Sequence, residues 1–544
     1  MRSVKLCVTV MRHLKKKYNK KALQEITRAV KDWIAADAAR GIQTVVVAVD
    51  DAASMGAHRL RPLTGRITAV KIKRAIDALW GRLQPEYLVL LGGADIVPMF
   101  LVANPSYDPN GDDDQLVPTD NPYASSSPYR ASNRGSYLVP DRVAGRIPDM
   151  VADSSSAWLV DSLATATTWT SRPASFYGDR YAVCCAAWQG AGEDCVQHIG
   201  SPVSSLMISP PITDASATAR SRLSFRLHMI KCHGAPLNPN FYGQTGNSFP
   251  VVLASATLKP RVKPATVAAA MCCYGAQIYS PNDPAAQNPG EWPIASTYLR
   301  QGALGLAAST VIAWVGVGQM MCADWIVAGY LKGILGGASQ GRALLESKQD
   351  YVRWINQQGQ APDIADEKTL IEYVLLGDPS IQPVVAPALT PATGVRAATA
   401  GPAFALLAQE RRQRRVVRAQ LAGQLRGLLP ARTAAAGAAR TGAGKVFRSA
   451  QAALGATLAK SIKEFRIRPA AVRVEKLDTP LSFPAEAAGR GRVRAMASVP
   501  RTRQSIEYYW SGRQVHDGHR RICLMKAETD RKGNLLRASL VHSS

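Results

Sequence analysis

The feature that most constrains the fold is an alternation of amphipathic helical segments with short, fully apolar runs. Lys20 to Ala36 carries apolar residues at helical spacing, and Thr44 to Val49 follows as a β-branched run. Val70 to Leu83 and Tyr87 to Leu91 repeat this pattern. Strands that alternate with helices pair in parallel, and the helices cover both faces of the sheet. The sequence therefore predicts an α/β fold built on a parallel sheet.

The pattern divides into two units, predicted as subdomains at residues 1–150 and 151–385. The first unit closes with a predicted strand in Asp141 to Pro148, after a Pro/Asp/Asn-rich loop at Asn104 to Asn121. The second unit has predicted helices at Ser155–Thr168, Ile294–Arg300 and Gln319–Leu335, and predicted strands at Arg180–Ala187, Phe225–Cys232, Ala265–Met271, Ala303–Ser309 and within Tyr373–Ile381.

Beyond Pro383 the composition changes to Ala, Gly, Pro and Arg, which marks a domain boundary. Residues 386–466 are predicted to be a basic linker or helices, and residues 467–544 a small β-rich region. Residues 386–544 contain 29 Lys+Arg against 9 Asp+Glu, a net +20 of the chain's +26. Such a tail can attract nucleic acid, an acidic protein or anionic lipid, or it can be a solvated linker.

The nine cysteines show no paired Cys-x-x-Cys spacing of a zinc site and read as reduced thiols. The run Val4 to Val10 is interrupted by Lys5 and lacks a signal peptide's order of parts. No apolar stretch reaches about eighteen residues, the length needed to span a bilayer. We therefore expect a soluble, cytoplasmic protein with no metal site and no membrane span.

Two predicted strands end in reactive side chains, at His233-Gly234 and at Cys272-Cys273. Open α/β sheets place their active sites at such strand ends. An imidazole within hydrogen-bond reach raises the thiolate fraction of a cysteine, and the N–H groups of Gly234 and of the nucleophilic cysteine could form an oxyanion hole. The alternative is a core histidine beside two packing cysteines.

Residues from about Lys20 to Pro383 resemble the gingipain family of cysteine peptidases, in the clan that also holds caspases and legumains. The matching landmarks occur in order at Tyr87–Pro98, Asp120–Tyr123, Pro140–Pro148, His233-Gly234, Cys272–Gly275 and Leu375–Ser380. The resemblance implies a caspase/gingipain-like sheet sandwich with helices on both faces, and a catalytic subdomain at residues 151–385. It also implies a Cys-His dyad that cleaves protein or peptide substrates without a cofactor.

The resemblance also bears on individual site residues. In gingipains the nucleophile stands three residues before the glycine, which selects Cys272, whereas the caspase spacing selects Cys273. Asp194 resembles the aspartate at the base of the gingipain specificity pocket, and Trp314 resembles the tryptophan that walls it, which implies cleavage after Arg or Lys. The alternatives are a helix N-cap for Asp194, with Glu193 in its place in the pocket, and a core aromatic for Trp314.

Some features depart from the family pattern, including Pro236 close after Gly234 and the Ala-Ala-Met segment before Cys272. They leave open an inactive relative that binds a basic peptide. A nucleic-acid adaptor acting through the basic C-terminal region is the other alternative function.

Overall fold

A computed structural model describes residues 3–109, 111–386, 416–427, 429–434, 442–465, 467–468, 471–480, 502–516 and 519–543. Its strands are β1 Ser3–Thr9, β2 Ile42–Ala48, β3 Tyr87–Leu91, β4 Phe100–Ala103, β5 Leu116–Thr119, β6 Val143–Ile147, β7 Arg180–Cys185, β8 Leu206–Ser209, β9 Leu227–Lys231, β10 Asn240–Tyr242, β11 Val251–Ala254, β12 Val267–Ala270, β13 Gly305–Ser309, β14 Trp314–Val315, β15 Tyr373–Gly377, β16 Ala431–Ala434, β17 Arg473–Pro480, β18 Thr502–His516, β19 His519–Thr529 and β20 Leu535–Ser543.

The helices are α1 Met11–Lys17, α2 Lys20–Ala39, α3 Ala52–Gly56, α4 Ala69–Leu83, α5 Ala157–Thr168, α6 Gln189–His198, α7 Ala217–Arg222, α8 Ser255–Leu258, α9 Ile294–Arg300, α10 Ala323–Leu335, α11 Gln340–Gln357, α12 Ile364–Glu372, α13 416–427 and α14 Ala443–Glu464. Local chemistry sets several of their starts. Asn19, for example, caps α2 by accepting the N–H of Ala22, and the helix then buries Ile26 and Trp33.

The core is one ten-stranded sheet in the order β2-β1-β3-β6-β15-β13-β12-β9-β7-β8. We call β2, β1, β3 and β6 the N-terminal flank, and β13, β12, β9, β7 and β8 the C-terminal flank. Pairing within each flank is parallel, and β13 pairs antiparallel with β15, which lies between the flanks. The predicted α/β class with a mostly parallel sheet is confirmed, and it is compatible with a caspase-like architecture.

The run Val4 to Val10 provides β1, a strand that the apolar pattern did not predict because Lys5 interrupts it. Lys5 is fully buried, and its Nζ lies 2.6 Å from carboxylate oxygens of both Asp37 and Asp378. Trp33 Nε1 also donates to Asp378. The carboxylates that neutralise Lys5 come from distant parts of the chain, so a local pattern could not reveal them.

A second buried ion pair joins two of the family landmarks. Arg146 of β6 binds Asp120 with two hydrogen bonds, of 2.9 Å from Nε and 2.6 Å from Nη2. The same guanidinium donates to the carbonyl oxygens of Gly92 and Val97. A planar guanidinium suits this bidentate arrangement, and it ties the loop after β5 to the ends of two strands.

The C-terminal region forms a six-stranded sheet in the order β14-β20-β19-β18-β17-β16. Helix α14 packs on this sheet, with the Phe447 and Trp510 rings 5.2 Å apart. The sheet takes β16 from residues predicted to be linker or helices, and it takes β14 from the peptidase-like core. The division of the chain into four regions, at 1–150, 151–385, 386–466 and 467–544, remains a prediction.

The predicted helix at Gln319–Leu335 is wrong at its start, because α10 begins only at Ala323. The backbone N–H groups of Gly316 and Met321 are instead bound by the side chain of Asp324, which holds the preceding residues as a loop. Residues 386–466, predicted to be a basic linker or helices, contain α13 and α14 among the described residues.

Candidate active site at the ends of β9 and β12

The candidate base, His233, lies just beyond β9. Strand β9 pairs in parallel with β12, so the residues that follow the two strands are neighbours. The His233 backbone exchanges two hydrogen bonds of 2.9 Å with Tyr242. The Nε2 atom lies 2.9 Å from Gln244 Oε1, and the ring lies 4.4 Å from that of Trp188. Gln244 Nε2 donates to the Gly246 carbonyl oxygen at 3.0 Å, which turns Oε1 toward the ring. A neutral imidazole that donates to this oxygen from Nε2 has its lone pair on Nδ1.

The two candidate nucleophiles occupy different environments. Cys272 is fully buried in the main hydrophobic core, with Sγ 3.8 Å from the Ile230 carbonyl oxygen. Burial raises the pKa of the Cys272 thiol well above its ordinary value. A thiol that stays protonated is a poor nucleophile.

Cys273 belongs to a separate apolar cluster that includes Ile312 and Trp314. Its Sγ accepts the backbone N–H of Ala313 at 3.3 Å. The next residue, Tyr274, adopts a left-handed backbone conformation with φ of 57°. Such a conformation is costly for a non-glycine residue and is concentrated at functional sites.

Gly234 packs directly against the backbone of Cys273. A Cβ atom built on Gly234 would lie 2.0 Å from the Cys273 carbonyl oxygen and 3.3 Å from the Cys273 nitrogen. Only glycine fits without a shift of the cysteine, so the residue after His233 and the second cysteine are structurally coupled. The two N–H groups expected to form an oxyanion hole therefore belong to adjoining segments.

The structure brings Trp314, but not Asp194, next to Cys273. Trp314 is buried, and its Nε1 donates to Ser106 Oγ at 3.2 Å. Asp194 lies within α6 and accepts the N–H of Met320 at 3.3 Å, so the N-cap interpretation is wrong. Asp194 thus contacts Met320, which lies six residues after Trp314 in the chain. Glu193 bonds within its own helix, to Gln189.

The sequence did not reveal three residues that shape this site. Lys231 and Asp324 are fully buried and form an ion pair at 2.5 Å, and Asp324 also holds the loop after β14. Asp114 accepts hydrogen bonds from the Tyr274 hydroxyl at 2.9 Å and from the Ile312 N–H at 3.0 Å. The only signal for Lys231 was a charge inside an apolar strand, and Asp114 was part of an acidic loop.

Gln244 is a fourth residue that the sequence did not reveal. It lies two residues beyond β10, and no motif marked it as the partner of His233. In the parts of the chain that the structure describes, no group of three or more His, Cys, Asp or Glu side chains could hold a metal ion. No helix among the same residues is long and apolar enough to cross a membrane.

Comparison with known proteins gives one family match. The sequence model for peptidase family C25 matches residues 20–165, which end before His233 and both cysteines. A solved structure described as "Structure of Protease" aligns with 73% of this chain and 83% of its own, at 14% identity and a TM-score of 0.47. No curated protein sequence matches significantly. Over residues 20–165 the family match confirms the resemblance to the gingipain family, and it supports a cysteine peptidase.

Proposed function

We propose that this protein is a cysteine endopeptidase in which His233 is the base and Cys273 the nucleophile. One observation carries the choice of nucleophile. Gly234, the residue after His233, packs against the Cys273 backbone, whereas the Cys272 thiol is buried in the core. This geometry supports the caspase spacing over the gingipain spacing that favoured Cys272 in the sequence.

The reaction follows from the groups around Cys273. His233 Nδ1 removes the thiol proton, and the thiolate attacks the peptide carbonyl to form a C–S bond. The N–H groups of Gly234 and Cys273 stabilise the oxyanion. His233 then gives its proton to the leaving amine as the C–N bond breaks, and water hydrolyses the acyl-enzyme.

Cleavage after Arg or Lys is part of the proposal. It depends on Trp314, which lies in β14, and on Asp194, which accepts the N–H of Met320 six residues further along the chain. A carboxylate near this segment would form a charge-assisted pair with a cationic side chain of the substrate.

A cytoplasmic location and a protein or peptide substrate complete the proposal. No disulfide links any of the nine cysteines, all of which are buried in the described part of the chain. Reduced thiols are typical of a reducing compartment. No observation supports the predicted nucleic-acid or acidic partner.

The test is hydrolysis of fluorogenic peptides that end in Arg, Lys or Asp. Cys273→Ala, His233→Ala and the matched control Cys272→Ala are each compared with their parent chain, both without further change and in a Lys526→Glu background. We expect cleavage after Arg or Lys, lost by about 10³-fold or more in the first two variants. The control should keep most of the activity.

Loss of activity with Cys272→Ala but not with Cys273→Ala would reverse the assignment of the nucleophile. Cleavage after Asp alone would contradict the proposed pocket. The peptidase proposal fails if no peptide is cleaved by the chain, either intact or with Lys526→Glu, a substitution at the contact between the C-terminal sheet and Asp363.

A further inference from the structure

The C-terminal sheet uses an edge of the candidate active site as one of its own strands. Strand β20 pairs antiparallel with β14, matching Ser543 to Trp314 and His542 to Val315. Trp314 shares a cluster with Cys273. An exposed strand edge beside a peptidase nucleophile is a binding place for an extended peptide, and here a strand of the same chain occupies it.

The occupying strand runs toward the nucleophile. Its pairing steps back from Val315 to Trp314 as β20 goes from residue 542 to residue 543. The preceding core residue, Ala313, donates its N–H to Cys273 Sγ. The strand β20 therefore lies along the edge in the manner of a peptide directed at Cys273.

Apolar side chains of the C-terminal sheet cover the cysteine itself. Cys273 is only 4% exposed. The cluster around it contains Ile312 and Trp314 from the core, and it is completed from the C-terminal sheet by Tyr509, Ile522, Leu524 and Val541. With Cys273 buried in this shared cluster, a scissile carbonyl has little access to Sγ.

The base is covered by the same sheet. The Arg521 guanidinium of β19 lies 5.7 Å from the centroid of the Phe249 ring, which packs 5.4 Å from the His233 ring. Burial and the nearby charge of Arg521 lower the pKa of His542 to about 3, so this residue of β20 is neutral. The His542 ring packs 4.9 Å from that of Phe465. Two hydrogen bonds from β18 also join the C-terminal sheet to the core. The Ser511 hydroxyl donates to Asp108, and the Gln514 amide donates to Asn247 at 3.2 Å.

Buried ion pairs fix the sheet to the core at α12. Lys526 of β19 binds Asp363, the residue that caps α12. Arg432 of β16 lies 3.1 Å from Glu367 on the same helix and 2.6 Å from Glu507 of β18. Breaking one partner of such a buried pair leaves an uncompensated charge and weakens the contact strongly.

We propose that the C-terminal sheet is an intrachain cover that holds the peptidase latent by placing β20 on the substrate edge at Trp314–Val315. Because the cover is part of the same chain, its effective concentration far exceeds that of a free substrate. Activity then requires displacement of the sheet, and Lys526 and Arg432 are the contacts that must open. This inference rests on the proposed peptidase function, since it names the substrate edge of that site.

The experiment measures alkylation of Cys273 by iodoacetamide in the full-length chain, located by mass spectrometry with fragment ions. This reaction reports access to the thiol without requiring peptidase activity. Lys526→Glu places a negative charge against Asp363, and Val541→Glu places one in the apolar cover. Lys532→Glu, at an exposed position of the turn between β19 and β20, makes the same charge change and is the matched control.

Hydrogen exchange at residues 314–315 shows whether β20 has left β14, and exchange in β12 and β13 shows whether the core stays folded. We expect both opening variants to expose residues 314–315, to keep the core protected and to alkylate Cys273 at least tenfold faster. Hydrolysis of Arg or Lys peptides should rise in parallel. The control variant should behave like the unsubstituted chain.

Two results would overturn the cover. One is a Cys273 in the unsubstituted chain that alkylates within twofold of a short unfolded peptide. The other is an alkylation rate of Cys273 that stays within twofold of the unsubstituted chain in both Lys526→Glu and Val541→Glu. This holds whether or not residues 314–315 become exposed. Faster alkylation without any hydrolysis would support the cover and refute the peptidase function, so the two failures are distinguishable.

Discussion

The two flanks of the main sheet contain buried polar groups for different reasons. In the N-terminal flank, Lys5 and Arg146 are neutralised by buried carboxylates. In the C-terminal flank, the proposed base and nucleophile, His233 and Cys273, follow the neighbouring strands β9 and β12. The family match at residues 20–165 covers mostly the N-terminal flank. Motifs that identify a family therefore report here on how the sheet is held together, while the reactive groups lie outside the matched segment.

The comparison predicts that charge loss in the N-terminal flank lowers stability. Arg146→Met leaves Asp120 without its buried partner, and we expect about 3–5 kcal/mol lower free energy of unfolding. Urea unfolding measures it, and Arg353→Met, at an exposed ion pair with Asp350, is the matched control with an expected cost below about 1 kcal/mol. An equal loss of unfolding free energy in both variants would show that the buried ion pair stabilises the fold no more than the exposed one.

A second prediction concerns Lys348, beside the N-terminal flank. Burial lowers its pKa to about 7, although its Nζ donates to Asn121 and to the Tyr373 carbonyl oxygen. Since the folded-state pKa lies below the unfolded value, the folded state binds fewer protons between the two. Deprotonation of Lys348 therefore makes the free energy of unfolding rise as the pH increases above about 7. This gain is lost as the pH falls again.

The free energy of unfolding changes through Lys348 by at most about 1.4 kcal/mol per pH unit, which amounts to roughly 3 kcal/mol between pH 7.5 and 9.5. Chemical denaturation of the unsubstituted chain and of Lys348→Met across this interval should differ by that amount. Parallel curves would show that Lys348 does not titrate in the folded state as expected.

In the C-terminal flank the expected loss is of catalysis. Gly234→Ala forces its new Cβ against the Cys273 carbonyl oxygen. A displacement of about 1 Å at a reacting centre lowers rate by about 10²-fold. Peptide hydrolysis, compared in a Lys526→Glu background so that the cover does not limit access, measures the effect. Unchanged kcat/KM would mean that the two backbones are not coupled.

The smallest effect is expected at Gln244, a positioning residue for His233. Gln244→Ala removes one hydrogen bond to the imidazole, and we expect kcat/KM to fall by about tenfold. Gln244→Glu should retain activity and move the acid limb of the pH profile upward, because a carboxylate beside Nε2 raises the pKa of His233. A merely structural role would leave that pH profile unmoved.

The sequence predicted the α/β class because helical and apolar periodicities report directly on the faces that a sheet buries. It also located His233 and both cysteines, since each follows a legible strand. It missed β1, where Lys5 obscured the strand signal. It ranked Cys272 first on the gingipain spacing to Gly275, and this spacing carries no information on the surroundings of each thiol.

The contact between the C-terminal sheet and the active site was also beyond prediction. Residues 467–544 were predicted to be β-rich, and the strands β17 to β20 lie within this range. Nothing in their local pattern specified that β20 would pair with Trp314–Val315. That pairing depends on shape and on ion pairs between residues more than a hundred positions apart, such as Lys526 and Asp363.

The position of β15 has a consequence for synthesis of the protein on the ribosome. The strand lies in the middle of the sheet, yet it follows β6 in the chain by more than 200 residues. At about 5–20 residues per second, the edge of β6 waits roughly 10–50 s for its neighbour. During that time an unsatisfied strand edge can pair with other chains. Nascent chains are therefore most prone to aggregate before residues 373–377 emerge, and chaperone binding to β6 would protect them in this interval.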